Sequence, residues 1–191
     1  MPRRTPEVLE AAVQVFAANG YEDASMQEIG ERLGLLKGSI YYYTASKEEL
    51  LFAVIESVHS EMMSNLEAAK TRDGAVEDRI RAFLEDMVRL TVDRLEHASV
   101  FQREFRHLSP DHQAEIRQER RQYERFFQSL LEEGQTEQVV RVDMDAKIMT
   151  IAGFTMISAT PSWYRRGGAI GKNEIVADFV KLIVSAYQAP A

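Results

Sequence analysis

Ser25-Met26-Gln27-Glu28-Ile29-Gly30-Glu31-Arg32-Leu33-Gly34-Leu35-Leu36-Lys37-Gly38-Ser39-Ile40-Tyr41-Tyr42-Tyr43 decides how the chain is read. Ser25 with Glu28 three residues on is a capping box that opens a short helix. Ile29 and Leu33 are its apolar positions, and Gly34 stops it. The spacing predicts another short helix over residues 37–42. Two short helices about a tight turn have the proportions of a helix-turn-helix. Gly38 carries no side chain, so the backbone there approaches a surface closely. Lys37 adds a cation and Ser39 a hydroxyl, and the tyrosines add flat bodies with polar tips. Such groups suit a duplex groove, with hydroxyls and Lys on phosphates and ring faces on thymine methyls. Three consecutive tyrosines span roughly 300° of a helix, so they cannot all face one core. Ile40 is the core position, and one or two tyrosines must be exposed.

Charge limits this reading. Between Gly34 and Lys47 lie two lysines and no acid, but residues 1–50 carry five basic groups against eight acids. The acids must therefore face away from a duplex, with few ion contacts. A net charge of −7 over 191 residues also argues against a non-specific architectural DNA binder.

Outward from this stretch nearly everything reads as helix. Pro6 sits in the first turn of a helix that Asn19-Gly20 ends. Ser46 with Glu49 is a second capping box, opening a long helix through Val58. Further helices are expected over residues 75–96, 100–108, 109–133, 144–164 (capped by Asp143) and about 172–187. Ser109-Pro110-Asp111 is a strong helix start and Gly134 the expected stop. With only 10 Gly and 5 Pro, an all-β chain is disfavoured. Absence of Cys excludes disulfides and thiolate zinc sites. No apolar run reaches about 18 residues and the N-terminus lacks a signal-peptide core, so a cytoplasmic protein is expected. The expected fold is all-α, about nine helices, with a three-helix N-terminal module and a C-terminal bundle.

The linked motifs Ala17-Ala18-Asn19-Gly20-Tyr21, Ser25-Met26-Gln27-Glu28-Ile29-Gly30, Lys37-Gly38-Ser39-Ile40-Tyr41-Tyr42-Tyr43 and Ser46-Lys47-Glu48-Glu49-Leu50 closely resemble the DNA-binding half of TetR-family transcriptional regulators. One departure is Thr44, where the family usually has an aromatic that packs the recognition helix. The resemblance implies a helix-turn-helix domain over residues 1–46 and a ligand-binding and dimerisation domain over residues 47–191. It implies a repressor that binds a palindromic operator in double-stranded DNA and is released by a small ligand. By position, Lys37, Ser39 and Tyr42 would approach base edges, with Gly38 allowing close approach and Gln27 reaching from the preceding helix. Tyr41, Tyr43, Ser25 and Lys47 would contact phosphates, and Arg3 and Arg4 would follow the backbone. Lys47 also sits in the first turn of a helix, whose free N–H groups attract anions.

The helix over residues 144–164 is apolar on almost every side, so it must be covered on all sides. The last helix is amphipathic and can pair with it, and the resemblance implies that these two helices form a four-helix bundle across a homodimer. Ile148, Ala152, Ile175, Phe179, Leu182 and Ile183 are the expected interface. Trp163-Tyr164-Arg165-Arg166-Gly167-Gly168 and Phe101-Gln102-Arg103-Glu104-Phe105-Arg106 resemble a branch of the family that controls fatty-acid, steroid or aromatic-acid breakdown and responds to CoA thioesters. CoA is a polyanion that calls for guanidiniums and aromatic surfaces. Residues 100–125 hold six Arg and no Lys, alongside five acids. The expected ligand contacts are Phe101, Phe105, Arg106, Arg121, Met156, Trp163, Tyr164 and Arg165.

Glu56-Ser57-Val58-His59 and Glu104-Phe105-Arg106-His107 are both Glu-x-x-His, which raises a di-iron carboxylate bundle as the alternative. Such a site needs two more Glu on two other long helices, and only short helices precede Glu56. No Ser-His-Asp order, phosphate loop or dinucleotide fingerprint is present, so neither an enzyme nor a cofactor or metal is expected.

Overall fold

The computed structural model describes residues 5–35 and 38–189, and helix accounts for most of them. Among these residues the order is α1 (Thr5–Asn19), α2 (Met26–Arg32), a 3-10 helix (Ser39–Tyr42), α3 (Lys47–Lys70), α4 (Val76–Asp93), α5 (Leu95–Glu104), a 3-10 helix (Phe105–His107), α6 (Pro110–Thr136), α7 (Ala146–Ser158), α8 (Thr160–Trp163) and α9 (Lys172–Tyr187). Extended pairing among the described residues is one isolated bridge, Val140 with Gln188. Packing divides the chain into two compact units: Met1–Ser60 with Arg94–Arg117, and Glu61–Asp93 with Gln118–Ala191.

The first unit encloses a core of Val8, Val13, Phe16, Ile29, Ile40, Leu51, Ile55, Val100, Leu108 and Ile116. α1, α2 and the Ser39–Tyr42 helix thus share their core with the start of α3 and with residues of α5 and α6. Ser25 caps α2 as its sequence suggests, accepting from the Glu28 N–H at 3.1 Å. The second short helix departs from expectation. It is a 3-10 turn rather than an α-helix, entered through Gly38 at φ 88°, a left-handed conformation that favours glycine. Its bonds run from Tyr41 N to Gly38 O and from Tyr43 N to Ile40 O. With three residues per turn, Tyr43 returns to the side of buried Ile40 while Tyr41 and Tyr42 point away.

In the second unit α4 packs on α9, α7 and α8. Its centre is aromatic: Phe83 stacks on Phe127 with centroids 5.3 Å apart, and Phe154 meets Phe127 edge-on at 5.7 Å. Tyr123 joins them 5.4 Å from Phe154, and burial pushes its hydroxyl pKa well up. Tyr187 donates to Met149 O at 2.5 Å, and its oxygen lies where a Cβ on Gly153 would sit. Burial pushes that phenol up to about 12.

Three boundaries differ from expectation. Gly134 does not stop α6. It lies inside the helix, where a Cβ would collide with Val140, and the chain reverses later at Gln138, φ 61°. Asp145, not Asp143, caps α7, accepting from Lys147 N at 2.8 Å and Ile148 N at 3.2 Å, while Asp143 pairs with Arg141 at 2.7 Å. The helix expected over residues 144–164 is broken at Ala159, because Pro161 lacks an N–H and its ring crowds the preceding turn.

Candidate nucleic-acid interface

Tyr42 is 89 % exposed and Tyr41 57 % exposed, while Ile40 beside them is 2 % exposed. Large apolar bodies are held out in solvent on a segment that the buried Ile40 anchors. Gly38 is exposed next to them, Ser39 and Tyr43 are half-buried, and Ser25 and Gln27 are exposed on α2. The Gln27 amide donates to Glu31 at 2.8 Å. Arg3, Arg4 and Lys37, three of the expected DNA contacts, lie outside the described residues.

Glu28, one of the acids that weakened the sequence argument, is engaged locally. Asn19 donates to both oxygens of Glu28 at 3.0 Å, and Arg32 lies 3.8 Å from the same carboxylate. Thr44, in place of the family aromatic, donates to Ser46 O at 3.0 Å and so closes the turn into α3.

Lys47, expected at a phosphate, is engaged by the chain itself. Its ammonium donates to Tyr21 O at 2.8 Å, Glu22 O at 3.1 Å and Ala24 O at 2.9 Å, and sits 4.5 Å from the Tyr21 ring centre. An ammonium has three donors, and three carbonyls take them. Lys47 therefore holds the α1–α2 connection. Arg103 does similar work from α5, donating to Phe16 O at 3.1 Å and Ala17 O at 2.8 Å, two carbonyls of the last turn of α1. His107 stacks on Tyr21 with centroids 5.1 Å apart. Neither contact was visible in the sequence, since each joins residues more than 80 positions apart.

The expected ligand contacts fall in both units. Phe101 and Phe105 pack against the first unit's own core, 5.3 Å apart, with Arg117 over Phe105 at 5.3 Å. Arg106 is exposed and donates to His107 Nε2 at 3.2 Å. In the second unit Arg121 and Met156 are exposed, Trp163 is half-exposed 5.7 Å from Phe179, and Tyr164 is buried. Arg165 turns back to Pro161 O at 3.1 Å and Tyr164 O at 2.9 Å, capping α8. Sequence reading missed an open cleft of about 440 Å³ beside Tyr164, lined by Val92, Asp93, Arg166, Gly167, Gly168, Ile170, Gly171 and Lys172. Arg166 caps α4 there, donating to Val92 O at 3.3 Å and Asp93 O at 2.6 Å. The clustered glycines at 167, 168 and 171 were the available signal.

The expected dimer residues divide by burial. Ile148 (61 %) and Leu182 (56 %) are exposed, as is Ala152, and Phe179 is half-buried. Ile175 and Ile183 face the other way, into the chain's own core, and are corrected to core positions. The exposed apolar face includes Ile151 and Met156 instead.

Neither Glu-x-x-His motif builds a metal site. Glu56 accepts from Ser60, His59 lies edge-on to Phe101, and Glu104 faces Arg103 and His107. Among the described residues no three His, Asp or Glu side chains converge to hold a metal, and no helix is long and apolar enough to cross a membrane.

Residues 8–54 match the family model of bacterial regulatory proteins of the tetR family, and residues 73–187 match the tetracyclin repressor-like C-terminal domain. The chain is 23 % identical to the HTH-type transcriptional repressor KstR2 of Rhodococcus jostii, over 98 % of this chain and 92 % of that protein. A tetR-family regulatory protein from Rhodococcus RHA1 has the same fold at a TM-score of 0.90 and 27 % identity, both chains fully covered. AibR, solved with isovaleryl coenzyme A and operator DNA, matches at a TM-score of 0.83 and 22 % identity over 94 % of this chain and 97 % of that one. With an anchored, outward-facing tyrosine pair on a helix-turn-helix and family models covering both its N-terminal and C-terminal parts, the chain belongs to the TetR family and is a DNA-binding transcriptional regulator, not an enzyme.

Proposed function

We propose that this regulator is a cytoplasmic repressor that occupies a palindromic operator as a homodimer and leaves it when a CoA thioester binds. The observation that carries the DNA reading is the exposed Tyr41–Tyr42 pair beside Gly38, on a segment pinned by Ile40. In this reading Lys37, Ser39, Tyr42 and Gln27 meet base edges. Tyr41, Tyr43 and Ser25 meet phosphates, and Arg3 and Arg4 follow the strand. Residues 1–46 read DNA, and residues 47–191 carry dimerisation and the effector. Ile148, Ala152, Leu182 and Phe179 cover their counterparts across a two-fold axis, which sets two recognition segments about 34–36 Å apart.

The effector reading is supported by AibR, whose structure holds isovaleryl coenzyme A, and by the guanidiniums and aromatics of this chain's second unit. Met156, Trp163 and Tyr164 offer apolar surface, while Arg121, Arg165, Arg166 and Lys172 offer cations. Useful induction needs a coupling of about 1–3 kcal/mol between effector and operator binding. Footprinting of DNA near the protein's own gene should give one palindromic protected site. A CoA ester should release that DNA and its free acid should not. Equal release by the free acid would sink the phosphate-recognition part and leave a plain lipophilic pocket.

A further inference from the structure

α6 starts with an incomplete cap. Ser109 accepts from the His112 N–H through Oγ at 3.2 Å, as an N-cap does. A capping box would then need an acid three residues after Ser109, to bind the Ser109 N–H in return. That position is His112. The missing carboxylate comes from another helix. Glu48, in the first turn of α3, accepts from the Ser109 N–H through Oε1 at 2.7 Å, and the same oxygen lies 2.9 Å from His112 Nδ1. One turn along α3, Phe52 stacks on the imidazole with centroids 3.8 Å apart and planes 5° apart. The first turns of α3 and α6, 61 residues apart in sequence, thus share one cap.

We propose that this shared cap positions the recognition segment, and that operator affinity falls as His112 loses its proton. The proposal rests on the DNA-binding reading and adds its regulation. The α3 turn that carries Glu48 follows Tyr41, Tyr42 and Tyr43 by only a few residues, through the turn that Thr44 closes. In the same turn Lys47 grips the α1–α2 connection. A fixed α3 turn holds the tyrosines in place before DNA arrives, so less order has to be imposed on binding.

The groups facing the imidazole set its response. Glu48 and Glu49 face it from α3, and Glu115 from its own helix. The hydrogen bond to Glu48 holds the His112 pKa above its ordinary value, against a smaller opposing effect of burial. Burial raises the Glu48 pKa, but the Ser109 N–H and His112 outweigh it and hold the carboxyl below its usual range. Across neutral pH the cap therefore changes by one proton, on His112.

Operator binding followed by fluorescence anisotropy at fixed ionic strength, from about pH 6 to about pH 9, tests this. The parent should weaken about two- to fivefold across the range, as expected for loss of one partly exposed ion pair. His112→Gln should bind with no such slope. Glu48→Gln should flatten the slope and bind more weakly at the acid end. A His112→Gln protein that retains the parent's slope overturns the proposal. So does a folded Glu48→Gln protein that binds as tightly as the parent at about pH 6. Tyr42→Ala separates this from the DNA reading, since it should lower affinity at every pH and leave the slope intact. A folded parent that binds no operator at any pH overturns both.

Discussion

The two units weight polar tethers and aromatic packing differently. In the first, single polar side chains reach across the fold to backbone ends: Arg103 to the last turn of α1, Lys47 to the 21–24 connection, Glu48 to the start of α6. In the second, aromatic rings crowd together and α4 lies along α9, with the polar tethers Arg166 to the end of α4 and Tyr187 to Met149 O set around that packing. A polar tether fixes direction, because its geometry is specific and an unmet buried partner is costly. Apolar packing fixes volume and depends little on direction. The unit that must aim side chains at DNA adds the first device to its apolar core, and the unit proposed to carry the effector and the partner leans on the second.

Core and exposed face meet most sharply at adjacent residues of α9. Ile183 is 1 % exposed and Leu182 is 56 % exposed. Ile183→Asp should cost more than about 4 kcal/mol by burying an unpaired charge, so no folded protein is recovered. Leu182→Asp should keep the helical circular-dichroism spectrum. Light scattering should then give a single copy of 21.8 kDa that no longer binds operator. A Leu182→Asp protein that stays dimeric would remove this face from the interface.

Next in size is the aromatic centre. Phe127→Ala should lower stability by about 3–5 kcal/mol in urea titration, through the lost side chain and the cavity left behind. Lys47→Met should cost less, about 1–3 kcal/mol, by stranding three carbonyls, and it should lower the melting temperature as well as operator affinity. Tyr42→Ala should lower operator affinity by roughly 1–3 kcal/mol with the melting temperature unchanged. Equal behaviour of the Lys47 and Tyr42 variants would mean that Lys47 acts on DNA after all.

The smallest effect is on stability against pH. The His112 pKa is raised in the folded protein, so its contribution is complete below the unfolded value of about 6.5 and fades as pH climbs through the folded value. The Glu48 pKa is lowered, so its contribution is complete above the unfolded carboxyl value and fades only in acid. The pair therefore supports folding best in mildly acidic solution. Calorimetry should show the parent's melting temperature falling by about 1–2 °C more than that of His112→Gln between about pH 6 and pH 8.

The helix-turn-helix was legible because its signals are local. Ser25 with Glu28, Gly34, and Ile40 among tyrosines each act within a few residues. The 3-10 form of the recognition segment was not legible, since it follows from Gly38 adopting φ 88° while Ile40 is held in the core. The tethers escaped because they join residues distant in sequence. In α7 and α9 the apolar residues were found, but the same residue types serve the core and the exposed face, and only burial separates Ile183 from Leu182. Gly134 misled for a related reason: a glycine kept clear for Val140 looks in sequence like one that ends a helix.

The seat of Lys47 bears on which cation the chain can use there. Three carbonyl oxygens converge within 3.1 Å of a single nitrogen, an arrangement that fits the three hydrogens of an ammonium. A guanidinium spreads its donors over a flat fork and cannot aim three of them at one such point. The chain has 17 arginines and only 6 lysines. Position 47 is one where the common cation is a poor substitute for the scarce one, and where acetylation would strip the charge that three carbonyl dipoles surround.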